Sequence, residues 1–261
     1  MVIFFMKILI TGAASGIGYL TALTLAKMNN YVYLTCETEK QTDVVKEKIN
    51  GFKNIEAMKV DITNKKDIEK VLKLNVDVLI SNAAIAQGGS IIEADINRIK
   101  ENFDVNVFSN FTLVKEVLKQ MIKKDCGRIV MISSLIAKIP LPFTGIYSAT
   151  KASISNLTYA LKDELLLMGS NVKIVLVEPG LYHTGFNQVF LDNKYDNGLY
   201  FKDIKKELFN VEHFLFNLFE KKKLDSIVVQ VVRASLDNKP KKVYRAPFIQ
   251  SKLIKIYSLF K

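Results

Sequence analysis

The chain is poor in the residues that build disulfide frameworks, metal clusters and nucleic-acid surfaces. Among 261 residues there are two cysteines, Cys36 and Cys126, in apolar contexts with no CxxC and no His/Cys cluster nearby. They read as free thiols in a reducing compartment, and no metal is expected. Histidine occurs twice, and His183 reads as a rim or loop residue without a chemical role. Arginine is scarce as well: Arg98, Arg128, Arg233 and Arg245 are the only four among 37 basic residues. A net charge of +11 is compatible with an acidic partner, but bidentate recognition of phosphates and bases favours arginine's fork over lysine's point charge. Lysines such as Lys115, Lys119, Lys123 and Lys124 fall along helical stretches as solvated faces, so nucleic acid is not expected as a partner.

No apolar run approaches the roughly 18 residues a spanning helix needs. Residues 1–5 are apolar but too short for a signal-peptide core and carry no basic leader, and Met6 offers a second start. A cytoplasmic protein without a transmembrane segment is the expectation. There is no Pro/Ser/Gly-rich linker, low-complexity tract or repeat, and the composition is 49% hydrophobic and 24% charged. A single domain over 1–261 follows.

Apolar runs at 7–11, 31–36, 55–60, 76–81, 128–133, 172–178 and 242–245 alternate with helical stretches. That alternation implies a parallel sheet. The runs are continuous, as in Ile174-Val175-Leu176-Val177, which fits strands covered by helices on both faces. The expected fold is therefore α/β, a three-layer doubly wound parallel sheet. In such sheets ligands bind beyond the carboxyl ends of the strands, and polar or glycine-rich segments cluster there: Thr11-Gly12-Ala13-Ala14-Ser15-Gly16-Ile17-Gly18, Asp61, Asn82-Ala83-Ala84, Ser133-Ser134 and Pro179-Gly180.

Glycines at 12, 16 and 18 open a helix. Their missing side chains permit a tight turn, let backbone amides approach a pyrophosphate and aim the helix N-terminus at its charge. The spacing differs from the G-x-G-x-x-G of the general dinucleotide fingerprint. Tyr147 and Lys151 stand four residues apart on a helix expected over 145–169, hence on one face and one turn apart. A phenol ionises at a pKa of about 10, and an adjacent ammonium favours the phenolate, so the pair reads as a tuned acid/base.

Six motifs in order, Thr11-Gly12-x-x-x-Gly16-x-Gly18, Asn82-Ala83, Asn106, Ser134 thirteen residues before Tyr147, Tyr147-x-x-x-Lys151 and Pro179-Gly180, together resemble the short-chain dehydrogenase/reductase family. The resemblance implies a Rossmann-like fold and NAD(P)-dependent interconversion of a carbonyl and an alcohol. It implies Tyr147 as general acid/base, Lys151 lowering its pKa and holding the nicotinamide ribose, Ser134 binding the substrate oxygen, and Asn106 keeping a water in a proton relay. Ser133 has the wrong spacing for the serine role. The cofactor contacts it implies are Thr11, Gly12, Ser15, Gly16, Ile17, Gly18, Glu37, Asp61, Ile62, Asn82, Ala83, Ala84, Tyr147, Lys151, Pro179, Gly180 and Thr184. Family members pair through the Tyr147 helix and the one before it, so a homodimer or homotetramer is expected.

Two departures stand out. Ala84 occupies a position usually taken by glycine, and Glu178 precedes Pro179-Gly180 where asparagine is common; with Thr184 and Phe186, Glu178 is similar to a steroid- and retinol-active branch. Residues 182–223, with Phe186, Phe190, Phe209, Phe214, Phe216 and Phe219, are the expected substrate lid, implying an apolar ketone or secondary alcohol. The amphipathic tail at 246–261 is expected to pack on its own domain or a partner subunit rather than on a membrane surface. Glu37, beyond the second strand, places a carboxylate where a ribose 2′-hydroxyl is welcome and a 2′-phosphate is repelled, which favours NAD over NADP. The alternative is a dinucleotide-binding regulator or sensor without significant turnover.

Overall fold

Each apolar run becomes a strand because it can be buried on both faces. The order is β1 Lys7–Ile10, β2 Tyr31–Cys36, β3 Ile55–Lys59, β4 Val78–Ser81, β5 Arg128–Ile132, β6 Lys173–Pro179 and β7 Val243–Ala246. All neighbours pair in parallel, in the spatial order β3-β2-β1-β4-β5-β6-β7. The computed structural model describes residues 6–139, 141–186, 200–201, 207, 210 and 219–257, and the seven strands are those of the described residues. Strand ends differ from the sequence expectation by one or two residues: β4, for instance, begins at Val78 rather than 76.

The helices among these residues are α1 Gly16–Lys27, α2 Glu39–Lys48, α3 Lys65–Leu72, α4 Ile96–Phe103, α5 Asn110–Lys124, α6 Gly145–Leu167, α7 Asp225–Leu236 and α8 Phe248–Tyr257. Side chains alternate across the sheet, so β1 sends Ile8 and Ile10 into one core and Leu9 into the other. The first core packs Ala22 and Leu25 of α1 with Ile227 and Val231 of α7. The second packs Val71 of α3, Val117 of α5 and Ile154 of α6. The result is three layers. Because β1 lies between β2 and β4, consecutive crossovers leave it toward opposite edges, and a crevice opens at that switch point beyond the strand ends.

Local chemistry fixes several helix starts. Thr38 accepts from the Gln41 amide while Gln41 reaches back, a capping box at α2, and Asn64 and Asp95 cap α3 and α4. Between α4 and α5 the chain runs as a π-helix over Asp104–Ser109, a local widening often found at functional sites. Cys36 is buried and Cys126 exposed, both free. Among the described residues no helix is long and apolar enough to cross a membrane, and no group of three His/Cys/Asp/Glu side chains could hold a metal ion. Of the aromatic lid residues, Phe190, Phe209, Phe214 and Phe216 lie outside the described residues.

Candidate active site

The turn after β1 is forced by backbone crowding. Gly12 has φ +60°, and a Cβ there would stand 2.6 Å from the Ala83 Cα; only glycine fits. Thr11 is buried behind this turn, where its Oγ1 accepts from the amides of Asn82 at 3.0 Å and Ala83 at 3.1 Å. The Asn82 carboxamide in turn donates to the carbonyls of Thr11 and Gly12, at 3.0 and 2.9 Å. Gly18 is buried too, and a Cβ on it would come within 2.8 Å of the Asn82 amide nitrogen. Thr11 and Gly18 thus lock the β1 turn to the β4 end, while Gly12, Ser15, Gly16 and Ile17 line a cleft.

The N-terminus of α1 faces that cleft without a side-chain cap: Ser15 caps nothing and the first turn holds no acid. Its unpaired amides and dipole favour an anion such as a pyrophosphate. Thr184 crosses over Gly16, 3.2 Å from where its Cβ would be, and lines the same cleft. Further along the wall come Glu37, Asp61 and Ile62. Asp61 is oriented by its own contacts, taking the amide and hydroxyl of Thr63 at 2.9 and 2.7 Å. Its amide donates to Asp67 at 3.0 Å, and Asp67 also binds Lys59 at 2.6 Å and Lys70 at 3.0 Å. Burial alone would raise the Asp67 carboxyl, but these partners outweigh it and bring it to about 2.

Asn82, Ala83 and Ala84 carry the wall past β4, and Pro179 and Gly180 past β6. Ser134 stands at the head of a 3₁₀ turn, Leu135–Lys138; its hydroxyl accepts from the Ile136 amide at 3.3 Å and reaches the Pro179 carbonyl at 3.4 Å. Ser133 is buried and spent elsewhere, on the Lys151 carbonyl at 2.9 Å and Ser155 at 2.8 Å. Tyr147 and Lys151 both line the cleft from α6. Lys151 donates to the Ile132 carbonyl at 3.1 Å. Burial pulls its ammonium down to about 8, and burial pushes the Tyr147 phenol up. The rise at Tyr147 in the polypeptide alone is opposite in direction to the lowering expected from Lys151, and its cause is burial.

Asn106 lies on the π-helix, 1% exposed and away from the cleft surface. Its oxygen takes the Ile85 amide at 2.8 Å, and its nitrogen reaches Ile85 O, Asn102 Oδ1 and Thr150 Oγ1 at 3.0, 2.9 and 3.2 Å. The carboxamide is a clamp between the loop after β4 and α6. Asn110 extends the clamp, donating to the carbonyls of Ala83 and Val105 at 3.0 and 2.9 Å and accepting from Ser81 at 2.6 Å. Asn102, Asn106 and Asn110 recur every four residues, a spacing from which this ladder was readable.

Two other supports had no sequence signal. Glu178, fully buried, pairs with Arg245 on β7 and with Lys138 at 3.4 Å, tying together β6, β7 and the 3₁₀ turn behind Ser134. Gln250 on α8 accepts from the Leu181 amide at 2.8 Å and donates to the Phe219 carbonyl at 2.7 Å. His183 pairs with Glu220 at 2.8 Å on the rim. The cleft encloses about 1140 Å³, above the roughly 300–1,000 Å³ of ordinary small-molecule sites. Its far end is apolar, with Ile136, Ile139, Leu141, Phe143 and Phe186, and the Phe186 ring lies 5.6 Å from that of Tyr147.

Residues 6–194 match the family model for short chain dehydrogenase. A 3-ketodihydrosphingosine reductase of Bacteroides thetaiotaomicron is 31% identical over 185 residues, 69% of this chain and 65% of that protein. An estradiol 17-beta-dehydrogenase 11 of Macaca fascicularis is 30% identical over 187 residues, again 69% of this chain but 62% of its own length. The chain thus spans less than two thirds of the length of these two relatives. Among solved structures, a short chain dehydrogenase/reductase from Burkholderia phymatum in complex with NAD superposes with a TM-score of 0.81 at 19% identity, covering 98% of this chain and 93% of that one. One from Sphingobium yanoikuyae in complex with NADPH gives 0.73 at 22% identity, covering 97% and 93%.

Proposed function

Because the chain belongs to the short-chain dehydrogenase family and is an oxidoreductase of that class, we propose that it interconverts an apolar ketone and a secondary alcohol, with Tyr147, Lys151 and Ser134 acting on the substrate oxygen. The observation that carries this reading is the convergence of those three side chains on the cleft that begins at the Gly12–Gly16 turn. The cradle fits a dinucleotide: a Cβ at Gly12 would collide with Ala83, and the α1 amides are left uncapped. Gly12, Ser15, Gly16 and Ile17 would hold the pyrophosphate, Glu37, Asp61, Ile62, Ala83 and Ala84 the adenosine half, and Pro179, Gly180 and Thr184 the nicotinamide half. When bound, a nicotinamide dinucleotide supplies the hydride donor or acceptor.

In reduction the Tyr147 hydroxyl gives its proton to the substrate oxygen, and in oxidation it takes one, while the Ser134 hydroxyl donates a hydrogen bond to the charge that develops there. Lys151 holds a positive charge beside the phenol and offers its remaining donors to the ribose hydroxyls. Asn106 acts by position, keeping the loop after β4 against α6. Glu37 is exposed at the cleft and supports a preference for NAD. The apolar end of the cleft favours an apolar substrate, and the two relatives are named for 3-ketodihydrosphingosine and estradiol. Phe108 and Leu157, exposed on the π-helix before α5 and along α6, offer a face for a homodimer, which light scattering would register. The test of function is a panel of apolar ketones and secondary alcohols with each reduced and oxidised cofactor, followed at the nicotinamide absorbance. Turnover with apolar members is expected; tight cofactor binding with no turnover on any of them would favour the sensor instead.

A further inference from the structure

The tail helix α8 is turned the wrong way round for a surface helix. Its exposed residues are Phe248, Ile249, Lys252, Leu253, Lys255 and Ile256, four large apolar groups with two lysines and no acid. Phe248 and Ile249 are 70% and 73% exposed. Packing on the domain accounts only for the opposite side, where Gln250 latches onto Leu181 and Phe219 and Ile254 lines the cleft. A helix that merely covered its own domain would put its polar residues outward.

The apolar face is continuous with the cleft mouth. Leu253, Leu141 and Phe219 are each about half exposed and each also line the cleft. The charge around this rim is positive. Lys221, Lys222 and Lys223 are exposed just beyond Phe219, and the neighbouring Glu220 is paired with His183. Lys252 lies over the Phe248 ring at 4.6 Å, so its ammonium sits at the level of the apolar surface. A contiguous apolar patch of this kind marks an interaction site, and a cationic border selects an anionic one.

We propose that α8 and the adjoining rim dock the protein on an anionic lipid surface, with Phe248, Ile249 and Ile256 entering the acyl boundary and Lys252, Lys221, Lys222 and Lys223 meeting the headgroups. An apolar substrate then passes from the lipid into the cleft without crossing water. A second copy is the poorer occupant, because α8 carries Lys252 and Lys255 and no acid, so a two-fold axis through its face sets lysines against lysines. Gln250 and Ile254 hold the inner side of the tail helix on its own domain, and the proposal concerns its outer side.

The test uses the full chain, which needs neither cofactor nor substrate for this readout, so its outcome is separate from that of the catalytic reading. Co-sedimentation is measured with vesicles of phosphatidylcholine alone and of phosphatidylcholine mixed with phosphatidylglycerol. Binding to the mixed vesicles, weakened by salt, is expected, and Ile249→Ser/Ile256→Ser lowers the partition coefficient by on the order of tenfold. Lys252→Glu, a change at a solvent-facing side chain, lowers it as well without altering the melting temperature, and decides the matter if the double variant folds poorly. Absence of binding to both vesicles, or undiminished binding by the variants, overturns the proposal. So does a dimer that dissociates in the Ile249→Ser/Ile256→Ser variant while vesicle binding is missing, which assigns the face to a second copy.

Discussion

The Lys151 ammonium lies 5.7 Å from the centre of the Tyr147 ring, one turn along α6, with Lys151 buried and Tyr147 partly buried where it lines the cleft. Burial therefore moves them toward their neutral forms together, the phenol up and the ammonium down to about 8. A lysine that titrates near neutrality can lend or withhold its charge from the phenol within a narrow pH range.

That shift carries a stability consequence. Below pH 8 both folded and unfolded chains hold the Lys151 proton, and the cost of burying the charge is fully present. Between about 8 and the ordinary 10.5 the unfolded chain binds more protons than the folded one, so stability from this group rises with pH. Thermal melts of the wild type and Lys151→Met should show a gap in favour of the variant at pH 7 that narrows toward pH 10. A gap that widens would contradict the buried-charge account.

Asp67 behaves oppositely. Its folded carboxyl is lowered to about 2 from 3.8, so its contribution is whole above 3.8 and is lost as pH falls through about 2. Asp67→Asn removes the charge facing Lys59, Lys70 and the Asp61 amide. A loss of about 1–3 kcal/mol at pH 7 is expected in denaturant melts, with the difference from wild type shrinking in acid. Cofactor affinity should also fall, since Asp61 is positioned through Asp67.

Glu178→Gln leaves Arg245 and Lys138 without their counter-charge. A fully buried pair broken this way costs roughly 3–5 kcal/mol, but Arg245 and Lys138 are about a third exposed, and about 2 kcal/mol is the expected loss. Because the cluster braces Pro179 and the turn carrying Ser134, the variant should also lower kcat in a steady-state assay.

Glu37 is predicted to set the cofactor ratio. NAD should be preferred in kcat/KM, and Glu37→Gln should move the ratio toward NADP. An unchanged ratio would mean that Glu37 faces solvent and selects nothing.

The fold was legible because strands buried on both faces are written as unbroken apolar runs, Ile8-Leu9-Ile10 or Val78-Leu79-Ile80, and their polar stops mark the strand ends. The glycine turn was legible because Gly12 has no substitute. Gly12, Ser134, Tyr147 and Lys151 from the six motifs line one cleft, whereas Thr11, Gly18 and Asn106 lie behind it. What escaped was whatever depends on residues distant in the chain. Glu178 finds Arg245 67 residues away, and Gln250 finds Leu181 69 residues away. Neither has a local pattern. The burial of Lys151 escaped for a related reason: its spacing from Tyr147 is visible in the sequence, whereas how deeply the fold buries its ammonium is not. On α8, apolar spacing revealed a helix but not that its apolar side faces outward.

The most direct measurement of the central account compares wild type with Tyr147→Phe, reading turnover by nicotinamide absorbance and cofactor binding by fluorescence titration on the same preparations. The change removes one hydroxyl and keeps the ring against Phe186. Turnover should fall by about 10²–10⁴-fold, the usual worth of a positioned acid/base, while cofactor affinity changes little. Retention of most of the activity by Tyr147→Phe would contradict the assignment of the proton transfer to Tyr147.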